Sequence, residues 1–151
     1  MNQKTSTVQV TRLAPEDRAR WEVLARGYKT FYKTQLPDSD YEKTWARLMR
    51  ADDVFAFAGR LDGKLVGITH YFFHAHVWMA DVCYLQDLFT DETVRGKGVA
   101  RALIEAVATA AKQKGASRLY WLTQEDNARA RTLYDKVARY QGFIRYDYSL
   151  A

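Results

Sequence analysis

The chain of 151 residues is 48% hydrophobic and 14% aromatic, a composition that excludes an intrinsically disordered protein. This length predicts a single domain, residues 1–151, with a core of its own. The net charge of +5 raises the question of a nucleic-acid partner. Acidic residues are interleaved with the basic ones along the predicted helices, however, so we expect solvated surfaces and no nucleic-acid partner.

No apolar run approaches the roughly 20 residues of a membrane span, and the polar N-terminal residues lack the apolar region of a signal peptide. The single cysteine, Cys83, lies in an apolar stretch, where it is typical of a core residue and excludes an internal disulfide. We therefore expect a cytoplasmic protein with no membrane partner. His74 and His76 have no further ligands at a suitable spacing, so no metal site is predicted.

The first half of the chain predicts one strand, two helices and a hairpin. The predicted elements are a strand at residues 7–13, a helix from 15 to about 33, a helix beginning at 38 or 39, and strands at 54–61 and 64–74. Apolar residues at helical spacing indicate the helices, and Asp38 or Ser39 is expected to cap the second one. Asp62-Gly63 between two apolar runs is a strong hairpin signal.

The second half alternates strands with helices. The predicted elements are a strand at residues 82–90, a helix at 99–114, a strand at 118–123, a helix at about 128–140 and a last strand at 143–149. Gly115 is expected to end the first of these helices, and Gly142 precedes the last strand. The whole order, β-α-α-β-β-β-α-β-α-β, predicts an α/β fold with a mixed sheet.

The turn between the strand at 82–90 and the helix at 99–114 reads Arg-x-x-Gly-x-Ala over residues 95–100. The first amides of a helix have no intrahelical partner and carry the positive end of the helix dipole. Gly96 and Gly98 would let the backbone approach a phosphate closely, so the turn is a candidate anion site. It matches neither a dinucleotide fingerprint nor a P-loop.

A second motif, Asn-x-x-Ala-x-x-Leu-Tyr at residues 127–134, follows about thirty residues later and is itself followed by Gly142-Phe143. The combination resembles the acyl-CoA-binding core of the GNAT superfamily of N-acetyltransferases. It looks most like the group of fungal Hpa histone and D-amino-acid acetyltransferases and their bacterial relatives. The resemblance implies a single α/β (α+β) domain with a mixed, mostly antiparallel central sheet flanked by about four helices.

The resemblance also implies acetyl-CoA as the co-substrate and no metal. In the family, the strand before the turn pairs its free backbone with the pantetheine arm, and the turn holds the pyrophosphate. Asn127 matches a position that contacts the coenzyme arm, and an N-cap explains it equally well. The implied coenzyme-binding residues are Leu88, Phe89, Thr90, Arg95, Gly96, Lys97, Gly98, Val99, Ala100, Asn127, Ala130, Tyr134 and Lys136.

Tyr134 is the implied general acid, since its phenol would protonate the departing thiolate. Outside the motif it would be interpreted as a core tyrosine. An amine nucleophile also needs a base, because it is mostly protonated at neutral pH. Asp87 is the candidate, since Gln86 cannot accept the proton; strand alternation points the two oppositely, which leaves Asp87 open to a structural role. The alternatives are His70, Glu125 and a tyrosine-lined water chain.

The candidate substrate-binding residues are Tyr28, Tyr32, Tyr41 and His70. Tyr28 and Tyr41 also lie on the apolar stripes of their helices, so they are equally explained as core residues. The implied reaction moves an acetyl group from acetyl-CoA to the primary amine of a small molecule, such as an amino acid or polyamine, by direct attack in a ternary complex. Protein or histone lysine acetylation and a catalytically silent acyl-CoA-binding module are the alternatives.

A homodimer is the expected assembly. The GNAT fold normally ends in a hairpin of two strands, and only one strand fits after Gly142 in this sequence. An uncovered, aromatic-rich sheet edge favours pairing with another chain. We therefore expect the C-terminal strands of two chains to meet or exchange.

Overall fold

The computed structural model describes residues 5–151 and, within them, five strands, four α-helices and two short 3-10 helices. The strands are β1 Val8–Arg12, β2 Val54–Leu61, β3 Lys64–His74, β4 Val82–Thr90 and β5 Arg118–Tyr120. The helices are α1 Arg18–Phe31, α2 Asp38–Arg50, α3 Val99–Lys114 and α4 Ala128–Val137. The chain divides into two compact units, of which the first ends at Trp121 and the second is Leu122–Ala151.

The first unit is built on a five-stranded mixed sheet with the order β1-β2-β3-β4-β5. The first four strands pair antiparallel, and β5 pairs parallel with β4. This confirms the prediction of a mixed, mostly antiparallel sheet flanked by helices. The β4–β5 pairing covers Val82 to Tyr84 alone. Beyond Tyr84 the edge of β4 that faces away from β3 therefore has no strand partner within residues 5–151.

The hairpin between β2 and β3 forms at the predicted dipeptide. Asp62 has a φ of +51° and Gly63 a φ of +85°, and two central residues with positive φ are the requirement of a type I′ turn. The Asp62 carboxylate also accepts a hydrogen bond from the amide of Thr7 over 3.0 Å. The turn is thereby tied to the start of β1, and the register of three strands is set at one end.

The two faces of the sheet carry different helices. On one face Trp21 and Leu24 of α1 pack in a buried cluster with Ala58 and Ile68 of the sheet, and α2 adds to the same cluster. On the other face α3 packs its residues onto Phe57, the neighbour of Ala58 in β2. Neighbouring strand residues point to opposite faces, so the alternation along β2 separates the two layers.

A pair of facing glycines brings α3 close to the sheet. Gly59 of β2 and Gly67 of β3 are directly opposite each other. A β-carbon at Gly59 would lie 2.7 Å from Val99 Cγ1, and one at Gly67 would lie 2.8 Å from the same atom. Both distances are below van der Waals contact, so only glycine at these two positions leaves room for Val99 in its place.

The predicted caps of α2 and the ends of two elements were wrong. Pro37 occupies the N-cap position of α2, and no side chain caps the helix, because the Asp38 carboxylate binds Arg26 over 2.7 Å instead. The strand predicted to reach residue 123 ends at Tyr120, and the last helix ends at Val137 rather than near residue 140.

The strand predicted at residues 143–149 was also wrong, since the structure forms neither strand nor helix in residues 138–151. Alternation predicts which face each side chain would take once a strand is paired, but it does not supply the partner strand. Large apolar side chains in this segment are exposed, with Phe143 at 86% and Tyr148 at 90%.

Among residues 5–151, none of the helices combines the length and the apolar character needed to cross a bilayer.

Substitution of Gly67 tests the close approach of α3. We expect Gly67→Ala to lower the free energy of unfolding by about 1–3 kcal/mol, because its methyl group would overlap Val99 and crowd Leu103, 3.1 Å away. Chemical denaturation measures the change. In the double variant with Val99→Ala, the combined cost should be smaller than the sum of the two single costs, since the removed Cγ1 relieves the overlap. Additive costs would contradict the packing account.

Candidate functional site

The glycine turn before α3 has the conformation of an anion site. Gly96 has a φ of +79° and Gly98 a φ of +84°, and no protein atom lies within 4 Å of a β-carbon built at either position. Within the described residues, the amides of Gly96, Lys97 and Gly98 donate no hydrogen bond. Free amides at the start of a 16-residue helix, next to open space, can hold a phosphate group.

Asp91 fixes the segment that leads from β4 into this turn. Its carboxylate accepts hydrogen bonds from the amide of Thr93 over 3.0 Å and from Arg20 of α1 over 2.6 Å. Arg20 also donates to the carbonyl of Leu65 in β3 over 2.9 Å. The hydrogen bonds from Thr93 and then that from Arg20 lower the pKa of Asp91 to about 2. The segment is thus anchored to both α1 and β3.

The charged side chains around the turn differ in their availability. Arg95 pairs with Glu92 over 3.2 Å, whereas Lys97 is exposed. Arg101 pairs with Glu105 over 3.1 Å along its own helix, as expected for a solvent-exposed charge. Val99 is 2% exposed and packed on the facing glycines, so any contact it makes with a coenzyme involves its backbone; Ala100 is half-buried.

The end of β4 presents the three residues that the resemblance indicated for the pantetheine arm. Leu88 packs with the α3 layer, and Phe89 packs with the α1 layer, where its ring lies 6.5 Å from that of Tyr28. The Thr90 hydroxyl is buried and has no hydrogen-bond partner among the described residues. A buried polar atom without a partner is uncommon in a native protein, and this hydroxyl is open to a hydrogen bond with a bound water or ligand group.

Asp87 faces the α1 layer because β4 contains a bulge. The register shifts between His70 and Tyr71 of β3, which pair with Asp87 and Leu85 and leave Gln86 as the extra residue. Burial by itself would raise the pKa of the Asp87 carboxyl, but the hydrogen bond from His70 holds that pKa below its ordinary value, and the nearby Tyr28 phenol and Lys29 charge lower it further. Asp87 is therefore an anion in a mostly buried site.

Tyr28 and Tyr32 lie near enough to this carboxylate for its charge to affect both phenols, and their assignment to the substrate site stays a prediction. Their rings lie 4.9 Å apart, and burial, then the Asp87 charge, raises the pKa of each phenol. Both phenols therefore stay neutral near pH 7 and can donate hydrogen bonds.

Tyr41 does not join this group. It is 5% exposed, packs edge-on against Trp21 in the core, and carries the Arg26 guanidinium over its ring at 4.2 Å. Its assignment to the substrate site is corrected: the alternative interpretation, a core residue of the helical stripe, is the one that the structure supports.

Cys83 is fully buried, and burial raises the pKa of its thiol to about 11, as a core residue requires.

The second unit carries the remaining candidates, on α4. Asn127 is the N-cap of the helix: its side chain accepts from the amide of Ala130 at 3.5 Å and donates to Thr123 over 3.1 Å. Ala130 and Tyr134 are half-buried, and Lys136 is exposed. The N-cap interpretation of Asn127 is thereby confirmed, while its contact with a coenzyme stays a prediction.

Several residues that shape the site were missed from the sequence. Gly59 and Gly67 gave no signal because a glycine inside a strand does not show what approaches it. Arg20 and Asp91 were not connected because they are 71 positions apart. The contact between Asp62 and Thr7 was missed for the same reason, because it depends on which strands pair and in which register.

Comparison with known proteins identifies the family. The profile described as "Acetyltransferase (GNAT) family" matches residues 21–139. The chain belongs to the GNAT acetyltransferase family. Family membership makes it an acetyl-CoA-dependent N-acetyltransferase, and the resemblance stated from the sequence motifs is confirmed.

Individual relatives agree with this assignment. The GNAT chain is 36% identical over 137 residues to the D-amino-acid N-acetyltransferase HPA3 of Saccharomyces cerevisiae, covering 87% of this chain and 84% of the relative. It is 29% identical over 84 residues to a thialysine N-epsilon-acetyltransferase of Caenorhabditis elegans, covering 56% and 52%. The structure of aminoglycoside N-acetyltransferase AAC(6')-Iy in complex with CoA shares the fold, with a TM-score of 0.85 at 18% identity and full coverage of both chains.

Replacement of Gly98 tests the turn. We expect Gly98→Val to abolish coenzyme binding measured by calorimetry, because a branched side chain disfavours a φ of +84° and would fill the space next to the free amides. Gly63→Val is the matched control, since Gly63 has a φ of +85° and equally open surroundings in the β2–β3 hairpin. Unchanged affinity in the Gly98 variant would remove the phosphate-turn assignment.

Asp91 should contribute stability that depends on pH. Its folded-state pKa of about 2 is below the ordinary 3.8, so the contribution is present above about pH 4 and is lost as the pH falls toward 2. We expect Asp91→Asn to cost on the order of 1–2 kcal/mol at pH 7 and progressively less below pH 4. Urea denaturation across this range measures the difference, with the exposed Asp52→Asn as control. A cost independent of pH would contradict the assignment.

Proposed function

We propose that this enzyme transfers the acetyl group of acetyl-CoA to the primary amine of a small molecule, such as an amino acid or polyamine, by direct attack in a ternary complex. The observation that carries the proposal is the Asp87 carboxylate, 17% exposed and adjoined by Tyr28 and Tyr32, three residues before the orphan hydroxyl of Thr90 on the same strand. An anion in this position attracts a protonated amine to the strand that would hold the donor.

Three features of the first unit fit a coenzyme. The turn offers free amides and the Lys97 charge for a pyrophosphate, Thr90 offers a buried hydroxyl without a partner, and β4 has an unpaired edge beyond Tyr84 for an extended arm. When bound, acetyl-CoA supplies an acyl group activated as a thioester. The residues of this chain would hold the coenzyme, exclude water from the acyl group, and accept and donate the protons of the reaction.

The protonated amine would first give its extra proton to water and so become a neutral nucleophile, and Asp87 would then take the proton that the nitrogen loses as its bond to the acyl carbon forms. A carboxylate with a lowered pKa is a weak base, but it stays ionised across the physiological range. The amine nitrogen becomes strongly acidic as its bond to the acyl carbon forms, so a weak base in contact with it suffices. Tyr28 and Tyr32 would line the acceptor site and donate hydrogen bonds to polar groups of the substrate.

Tyr134 would return a proton to the thiolate that leaves. The support is its place in the family motif at residues 127–134 together with the family match, which extends from Trp21 to Arg139 and so includes both units. This match also supports the proposal that the two units act as one acetyltransferase domain. A thiol with an ordinary pKa of about 8.5 is a leaving group that a phenol can protonate.

The relatives support a small amine as acceptor, since their names specify D-amino acids and thialysine. The test is purified protein with acetyl-CoA and a panel of L- and D-amino acids, polyamines and histone peptides, followed by thiol release and by mass spectrometry of the products. Acetylated amino acid or polyamine is the expected result. Acetylated peptide alone would indicate a protein acetyltransferase, and no product with any amine would indicate a silent acyl-CoA-binding module.

Removal of the Tyr134 hydroxyl tests the general acid. We expect Tyr134→Phe to lower kcat roughly tenfold to a thousandfold, within the scale of general acid catalysis, while coenzyme affinity stays nearly unchanged. Tyr140→Phe is the control, because Tyr140 is 66% exposed and lies outside the motif. A fully active Tyr134 variant would make this tyrosine a packing residue.

We also propose that the enzyme is a homodimer. The support is now the exposed apolar segment rather than a formed strand: Ile144 is 72% exposed, Tyr146 87% and Leu150 96%. Apolar surface of this extent favours burial against another chain. Light scattering at micromolar concentration should show a dimer for the intact protein and a monomer for a variant truncated after Gly142. A monomeric intact protein would refute the proposal, and a dimeric truncated one would move the interface elsewhere.

A further inference from the structure

Trp21, His70 and Asp87 form a hydrogen-bonded chain from α1 through β3 to β4. The Trp21 indole Nε1–H donates to His70 Nε2 over 3.0 Å, and His70 Nδ1 lies 2.8 Å from Asp87 Oδ2. Trp21 is 1% exposed, and the side chains of His70 and Asp87 are 13% and 17% exposed. The three groups are therefore largely withdrawn from water, and each depends on the next for its hydrogen bond.

The geometry selects one tautomer of His70. An indole N–H can only donate, so His70 Nε2 must accept and carries no proton. The proton of the neutral ring is then on Nδ1, from which it is donated to the Asp87 carboxylate. Protonation of Nε2 would leave two donors facing each other and strand the buried indole N–H without an acceptor.

We propose that His70 is a positioning residue for Asp87: Trp21 holds its imidazole as the Nδ1–H tautomer, and the imidazole holds one carboxylate oxygen in place. This inference rests on the proposed function, in which Asp87 takes the proton of the amine. It replaces the two roles predicted for His70 from the sequence, base and substrate contact, because both ring nitrogens are already engaged within the protein.

The bulge in β4 brings the pair together. His70 is directly opposite Asp87 in the β3–β4 ladder at the point where the register shifts. The Tyr28 phenol also lies near the carboxylate and lowers its pKa, while the Tyr28 hydroxyl donates to the carbonyl of Gln86 over 3.5 Å. The other titratable groups near this pair are Lys29 and Tyr32 of α1, and Tyr84 of β4 interacts with Tyr28. Among these groups, His70 is the donor to the carboxylate whose own position is fixed by a fully buried side chain.

The tautomer is tested on the intact wild-type protein, without any assay of activity. The chain has three histidines, so a nitrogen-detected NMR spectrum of the imidazoles resolves each one, and the spectrum of His70→Asn assigns the missing signal. We expect His70 to be protonated on Nδ1 and unprotonated on Nε2 at neutral pH. An Nε2–H tautomer or a doubly protonated ring would overturn the proposal even if the enzyme acetylates amines as proposed.

The positioning role is tested by kinetics. We expect His70→Leu to lower kcat roughly tenfold to a hundredfold with the KM for acetyl-CoA unchanged. Loss of the donor also raises the pKa of the Asp87 carboxyl, so the low-pH limb of kcat should move to higher pH. His70→Asn keeps an N–H near the place of Nδ1 and should recover most of the activity and the wild-type limb.

The control is His74→Asn, on the same strand, whose ring contacts Tyr120 rather than Asp87 and whose replacement should leave kcat unchanged. A His70→Leu variant that loses stability but keeps the wild-type pH limb would show a merely structural role and overturn the proposal. A fully active Asp87→Asn variant would refute the base assignment of the proposed function, and the positioning role with it, whereas the tautomer measured by NMR would stand by itself.

Discussion

The close contact between Val99 and the facing glycines Gly59 and Gly67 sets the position of α3, and the candidate coenzyme site depends on it. Val99 is the first residue of the helix, so the glycines fix the end of α3 at which the free amides lie. Gly67 is also the ladder partner of Thr90, the last residue of β4. The same small area of the sheet thus determines where β4 ends, where the helix begins and how far apart they are.

Helix α1 contributes to both ends of the functional part of β4. Arg20 binds Asp91 where the strand leaves the sheet, and Trp21 and Tyr28 act on Asp87, the first through His70. The two carboxylates have lowered pKa values for related reasons, since each accepts hydrogen bonds: Asp91 first from the backbone amide of Thr93, and Asp87 from His70. Helix α1 therefore positions both the charged Asp87 carboxylate and the end of β4 at Asp91. A displacement of α1 would move both together.

Local patterns predicted much of this fold. The bounds of β2, β3, β4 and α3 agree with the structure because each has a strong periodic pattern and a glycine or a turn at its end. The glycine turn before α3 was predicted for the same reason, since its glycines and the following helix are contiguous in sequence. Features that depend on pairing were beyond this reasoning. The length of β5 and the state of residues 143–149 are decided by which edges meet, and no single segment contains that information.

The candidate base shows the same contrast between local sequence patterns and features that depend on strand pairing. Alternation continued from Leu85 would have directed Asp87 toward α3 and placed Gln86 opposite His70, whereas the structure pairs Asp87 with His70. The bulge exchanges the positions of these two residues. A bulge is a property of two paired strands and cannot be read from one of them. The link from Trp21 to His70 was invisible for a similar reason, since a tryptophan on a helical stripe signals burial and not the atom to which its N–H will donate.

The bulge at Gln86 has a consequence for how the strand tolerates changes in length. With Gln86 absent, Leu85, Asp87 and Leu88 would alternate without interruption and keep the faces that they have now. The extra residue is therefore not required by the hydrophobic pattern of the strand. A bulge bends and twists its strand, and this one lies two residues beyond Tyr84, where β4 and β5 cease to pair. A bulge at this position fits an opening between the two strands, a space that the core does not require and an extended ligand would use.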